Sequence, residues 1–156
     1  MKISRIVLGL VVVIALVLLI MAPLGPVPGL FIGGTPSDAP RVWMDTDEVH
    51  EIQLRVPGTL PRVVTLWVVD VQGELYVFGE RSSTWVEMIG AGSPVHLKLE
   101  GNTYPLEAVV VTEGWEPIYQ AYMDKYRPDY PDLVASFPTM GEAFETGAIY
   151  RLSRSG

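Results

Sequence analysis

The residues of this sequence that could do chemistry are mostly ones that would hold an anion. Arg81-Ser82-Ser83-Thr84-Trp85 sets a guanidinium and three hydroxyls just ahead of an apolar stretch. Ser and Thr there favour capping a helix N-terminus, and helix N-termini attract phosphates, so the two roles are compatible. Arg62 opens the apolar run VVTLWVVDV. Its planar fork of donors suits a phosphate, and the plainer reading is an exposed arginine at a strand start. His50 and His96 have no ligand spacing to each other or to Asp/Glu pairs, so no metal site is predicted. Asp45-Thr46-Asp47-Glu48 lacks the Ca²⁺-loop pattern and reads as a solvated entry to the first strand. P-loop, G-x-G-x-x-G, H-E-x-x-H and G-x-S-x-G motifs do not occur, which leaves the common nucleotide, zinc-protease and hydrolase readings without support.

Composition narrows the partners. The chain has 156 residues and a formal charge of −7. Lys2 and Arg5 are the only basic residues before Arg41, and the remainder carries 9 Lys and Arg against 18 Asp and Glu. That balance argues against nucleic acid, which draws its affinity from cations neutralising phosphates. It argues equally against docking on anionic lipid. With no cysteine, disulfides, thiol catalysis and thiolate metal sites are excluded.

Ile6 to Ala22 is an unbroken apolar run of 17 residues, IVLGLVVVIALVLLIMA. As a helix it spans roughly 25 Å, the short end of what crosses a bilayer. The run is long for a signal peptide, and Met21-Ala22-Pro23-Leu24 is a poor cleavage site. An uncleaved single-pass anchor is therefore expected ahead of a cleaved signal or a buried soluble helix. Positive charge before the span and none after it until Arg41 places the N-terminus in the cytoplasm and the domain outside. The expected organisation is a membrane anchor over residues 1–24, a Pro/Gly-rich linker over 25–42, and a globular domain over 43–156. Leu30-Phe31-Ile32 is too apolar for a purely solvated linker.

Hydrophobic period supplies the elements. His50 to Val56 alternates as a half-buried strand, and Pro57-Gly58-Thr59-Leu60-Pro61 is turn material. Val63 to Val71 reads as a central strand, and Leu75 to Phe78 should pair with it in a hairpin. A short helix around Thr84 to Ile89 follows, then a strand at Val95 to Leu99. The Glu100-Gly101-Asn102-Thr103 turn has Gly and Asn suited to positive φ, and a strand at Tyr104 to Thr112 comes next. Pro117 to Tyr126 reads as an amphipathic helix with Pro117 in its first turn. Its Tyr119, Tyr122 and Tyr126, with Tyr130, are spaced for packing. Ala148 to Leu152 is a last strand. Antiparallel strands joined by tight turns point to a mainly β small barrel rather than a doubly wound sheet.

The stretch Glu51 to Tyr126 resembles the flavin-binding split barrel of the pyridoxamine 5'-phosphate oxidase-like superfamily, which includes deazaflavin-dependent reductases. The segments that carry the resemblance are EIQLRV, PRVVTLWVV, GELYVFGE, STWVEMIGAGSPVHLKLEGNTYPLEAVVV and IYQAYMDKY. Gly33-Gly34 and Val42-Trp43 are similar to the entry segment of a membrane-anchored branch. The resemblance implies a six-stranded antiparallel split barrel with short helices. It implies a homodimer with FMN or a deazaflavin at the interface, a small-molecule substrate and oxidoreductase chemistry. It matches Arg62 to a second-strand arginine that grips phosphate, and Thr65 and Trp67 to positions facing the ring. Arg81, Ser82, Ser83 and Thr84 match a phosphate-holding segment, and Trp85 an aromatic just after it. Hydroxyls stand here where the family usually carries Lys or Arg, and Glu80 and Glu87 add negative charge. Those departures keep open a second function: a non-catalytic binding or assembly module that has lost its cofactor.

Overall fold

The computed structural model describes residues 29–43 and 46–154. Six antiparallel strands close into a barrel, preceded by a two-residue strand β1 (Thr35–Pro36) that runs parallel to the fifth of them. The barrel strands are β2 (Glu51–Val56), β3 (Arg62–Val71), β4 (Glu74–Glu80), β5 (Gly92–Leu99), β6 (Asn102–Val110) and β7 (Gly147–Arg154). Around the barrel the order is β2-β3-β4-β7-β6-β5, and β5 returns to β2 through Leu54↔Leu97. The β4–β7 and β6–β7 ladders close it. One end, called upper below, collects the C-termini of β2, β4 and β6 and the N-termini of β3, β5 and β7.

The alternation of β2 is real: Ile52, Leu54 and Val56 are buried in the interior. Strand β3 reads as a continuous apolar run because both its faces are covered. Val64, Leu66 and Val68 face the barrel interior, while Trp67, Val69 and Val71 lie under a layer of helices. That layer is α2 (Trp115–Tyr126), α3 (Pro131–Ala135) and α4 (Met140–Thr146). It forms a second core in which Ile118, Tyr119, Tyr122 and Tyr126 pack with Val69 and Ile149. At the upper end α1 (Thr84–Ile89) buries Trp85, Val86 and Ile89 together with the barrel interior. Tyr150 of β7 holds that helix by donating its hydroxyl to Gly90 O (2.9 Å).

Two tight hairpins set the register. Gln72 and Gly73 have φ of 58° and 80° between β3 and β4, and Glu100 and Gly101 have 47° and 82° between β5 and β6. Paired positive φ is the turn that matches strand twist. At the second hairpin the expectation shifts by one place. Glu100 takes the left-handed position, and Asn102 is already in β6, paired with Leu99.

Residues 29–40 lie against the barrel. Gly29 and Val63 exchange backbone hydrogen bonds of 2.9 and 2.7 Å, and Thr103 donates its hydroxyl to Gly33 O (2.6 Å). The predicted 6–22 span falls outside the described residues. No helix among the described residues is long and apolar enough to cross a membrane.

Candidate functional site

Strands β3 and β4 pair only from Val68↔Val77 to Val71↔Glu74. Above that point they diverge, and the split is where a site forms. Val63 turns its N–H and C=O to Gly29 rather than to β2. Alternate residues of a strand direct these groups the same way, so the Thr65 and Trp67 backbone groups face the split too. At its fork the Tyr122 hydroxyl lies between two carbonyl oxygens, Tyr76 O at 2.9 Å and Trp67 O at 3.1 Å.

A groove of about 420 Å³ occupies the split. Thr65, Leu66 and Trp67 form one wall, Phe78 and Glu80 the other, and Tyr119, Tyr122, Phe137 and Pro138 roof it. The volume lies within the roughly 300–1,000 Å³ usual for small-molecule pockets. Five aromatic side chains make the lining apolar, and Glu80 is its one charged residue. A wider recess of about 710 Å³ lies between α2 and the Pro138–Met140 segment, and it holds none of the predicted site residues.

The roof is fixed to the barrel by buried phenols. The Trp67 ring stacks on Tyr126 at 4.0 Å and 7°. Tyr126 accepts from Val68 N–H (2.9 Å), and its oxygen lies 2.6 Å from His50 O. Tyr119 donates to Pro138 O. Burial pushes the Tyr122 and Tyr126 hydroxyls well above the ordinary phenol range, so both stay protonated donors. Lys125 Nζ reaches Thr46 O, Val49 O and Val68 O at 2.6, 2.9 and 2.8 Å. It ties the entry to β2 onto α2 and the centre of β3.

The structure brings some predicted residues together and separates others. Thr65 and Trp67 line the groove. Arg62 is half-buried at the upper end of β3, with no ion pair among the described residues. The Arg81–Thr84 segment begins at the same end, where β4 leaves the barrel. Arg81 Nη2 lies 3.5 Å from Phe144 O, and Ser82 Oγ 3.5 Å from a Glu80 carboxylate oxygen. Ser83 is the N-cap of α1, but its side chain makes no capping hydrogen bond, and Thr84 is exposed. Trp85 points away from the groove into the barrel core, against Gly79 and 5.8 Å from the Tyr150 ring. No trio of metal-ligating side chains occurs among the described residues. Sequence reasoning missed the groove lining from Phe78, Tyr119, Tyr122 and Phe137. The tyrosine spacing was the available signal, and it also fits plain packing.

Comparison with known proteins supports the fold. No family model and no curated protein sequence matches the chain. Among solved structures the chain is similar to the conserved hypothetical protein Rv2991 from Mycobacterium tuberculosis, with a TM-score of 0.54 at 12% identity. That match covers 77% of this chain and 86% of the other. A FAD and heme binding protein from Mycobacterium smegmatis matches at 0.49 and 13% identity, covering 70% of this chain and 62% of that one. A NimC/NimA family protein from Clostridium acetobutylicum matches at 0.43 and 18%, covering 70% and 80%.

Proposed function

We propose that this chain is a membrane-anchored split-barrel protein that binds a flavin or deazaflavin and carries oxidoreductase chemistry on it. The groove in the β3–β4 split is the observation that carries this reading. An aromatic slot bordered by strand backbone suits a flat heterocycle: the rings of Trp67, Phe78, Tyr122 and Phe137 pack on its faces. The backbone groups of Thr65 and Trp67 meet its donor–acceptor edge. Arg62, at the upper end of β3, is the residue to hold a phosphate through charge-assisted hydrogen bonds. Arg81 and the hydroxyls of Ser82, Ser83 and Thr84 stand at the same barrel end. Trp85, inside the core, holds that segment in place instead of stacking on a ligand.

A bound ring would supply the hydride chemistry. The chain's own residues bind it, orient it and exclude water. The proposal includes a homodimer, an N-terminal anchor and a domain on the extracytoplasmic side, following the sequence reading. Glu80 in the groove wall favours a second reading. A carboxylate there and hydroxyls in place of cations would suit a module that has lost its cofactor and serves binding or assembly.

Titration of the full chain in detergent with FMN and with a deazaflavin, followed by fluorescence, separates the two. Micromolar saturation, weakened about 10- to 100-fold by Arg62→Ala, is the expected result, since a hydrogen bond to a charged group is worth ~1.5–3 kcal/mol. A folded protein that binds neither ligand sinks the flavin reading and leaves the module.

A further inference from the structure

We infer that two copies of this chain pair through α2, packed antiparallel about a twofold axis, so that Glu116 of each copy faces Arg127 of the other. This rests on the homodimer included in the function proposed above and names the face that forms it.

Sequence spacing on α2 defines the face. Glu116, Gln120, Met123 and Arg127 follow one another at four, three and four residues, which sets them in one stripe along the helix. All four line the recess between α2 and the Pro138–Met140 segment. Glu116, Gln120 and Arg127 are exposed, and Met123 is half-buried. The stripe lies away from Trp115, Ile118, Tyr122 and Tyr126, which α2 turns into the core. Glu116 and Arg127 make no ion pair among the described residues. Asp124, the other acid on the exposed side, accepts from Gln120 within the helix (2.8 Å).

Reversing the stripe identifies the partner. About a twofold axis at the middle of α2, position 116 meets 127 and position 120 meets 123, because both pairs are centred on the same point. The charged ends lie about 16 Å apart along the helix axis, so both ion pairs form in the same arrangement. An isologous interface needs a patch that complements itself, and this stripe does. The acid excess of the domain makes two copies repel over most of their surface, which favours the place where acid and base stand at matched spacing. Apolar surface adjoins it. Met140 lines this recess and a second one of about 460 Å³ beside Trp115 and Phe144. Met140 is 37% exposed and Phe144 49%, and large apolar side chains grouped inside a polar rim mark an interaction site. The recess also shares Tyr119 and Pro138 with the groove in the β3–β4 split. Tyr119 donates to Pro138 O, so a second copy seated in the recess backs the roof of that groove.

Charge reversal tests the pairing, in the full chain in detergent, by sedimentation velocity over a series of concentrations. Glu116→Lys sets an ammonium against Arg127 of the other copy, and Arg127→Glu sets a carboxylate against its Glu116. Each alone should weaken the dimer about tenfold or more, since like charges brought together across an interface are strongly disfavoured. The two together restore both pairs and should return the dimer to within about threefold of the parent. Both positions are exposed, so an unchanged thermal unfolding curve separates lost pairing from lost fold. The chain has no native cysteine, so a short bismaleimide should cross-link Gln120→Cys, close to the axis, and leave Gln72→Cys in the β3–β4 turn unlinked. A monomer at every concentration overturns the inference. So does a dimer indifferent to either reversal, which the anchor or another face would then hold, and so does a double reversal no better than the singles. The FMN titration is read separately on the same preparations. Saturation of a monomeric chain sinks this interface and spares the flavin reading, whereas a charge-sensitive dimer that binds no flavin supports the interface and sinks only the flavin.

Discussion

Substituting Gly79 by alanine tests whether Trp85 is a core residue. Gly79 lies in β4 beside the α1 helix, and a Cβ there would fall 2.9 Å from Val86 Cγ2 and deeper still into the Trp85 ring. Both neighbours are buried, Trp85 at 7% and Val86 at 5% exposure, so neither can swing into solvent without opening the barrel end. Overpacking a filled core costs typically ~1–3 kcal/mol. With ring and strand both fixed, Gly79→Ala should fall near the top of that range, at about 3 kcal/mol. For a domain of this size that is roughly a 10 °C fall in Tm. Near-UV circular dichroism during thermal unfolding reads both the shift and the tryptophan environment. A double-mutant cycle with Trp85→Leu supplies the decisive number. The smaller side chain makes room for the methyl, so the pair should cost less than the sum of the singles by ~1 kcal/mol or more, as for side chains in contact. An unchanged Tm for Gly79→Ala, or strict additivity, would refute the placement of Trp85 and reopen its role as a ligand-stacking residue.

Lys125→Met should destabilise the domain by about 3 kcal/mol, because it removes a charged donor from three backbone carbonyls; urea unfolding measures this, and early proteolysis at residues 46–50 should accompany it. Alkaline pH should unfold the domain. The folded values of Tyr122 and Tyr126 lie above the ordinary 10.0, so their contribution is complete below pH 10 and is lost as pH rises above it. Tyrosinate absorbance should then show these phenols ionising only together with loss of structure. Glu80→Gln should tighten FMN several-fold and leave riboflavin unchanged, since a carboxylate in the groove wall repels a phosphate dianion held at the same barrel end. Equal effects on the two ligands in a fluorescence titration would place the phosphate elsewhere.

The strands were legible because each has a local signature. The period-2 pattern of Glu51–Val56 and the turn residues at Gln72-Gly73 and Glu100-Gly101 need no tertiary information. Closure was not legible. The β4–β7 and β6–β7 ladders join residues 40 to 77 positions apart, and nothing in Ala148–Leu152 says which edges it will bridge. The helices α3 and α4 escaped because neither has two full turns in which a period could show. The capping box that starts α4, with Thr139 and Glu142 bonded reciprocally, was its one signal. Of the residues expected at a ligand, Thr65 and Trp67 of β3 line the groove, whereas Trp85 lies in the core. Gly79 inside an otherwise apolar strand was the clue to Trp85, since a strand glycine marks a close approach.

The split links stability to binding. Where β3 leaves β4 after Val68↔Val77, the ladder gives up its partners, and a buried backbone group without a partner costs about 1–3 kcal/mol. The Tyr122 hydroxyl meets part of that cost at the fork by lying between Trp67 O and Tyr76 O. It carries a single hydrogen, so it satisfies one carbonyl fully at a time. The Thr65 backbone groups and the Trp67 N–H above it face the groove, where no strand pairs with them. A planar ligand with a donor–acceptor edge would therefore take the place of the missing strand, as an added strand does in β-augmentation. On this argument a ligand of the groove must raise the unfolding temperature of the domain, and must slow amide exchange at Thr65 and Trp67 more than at Val69, which is already paired with Tyr76.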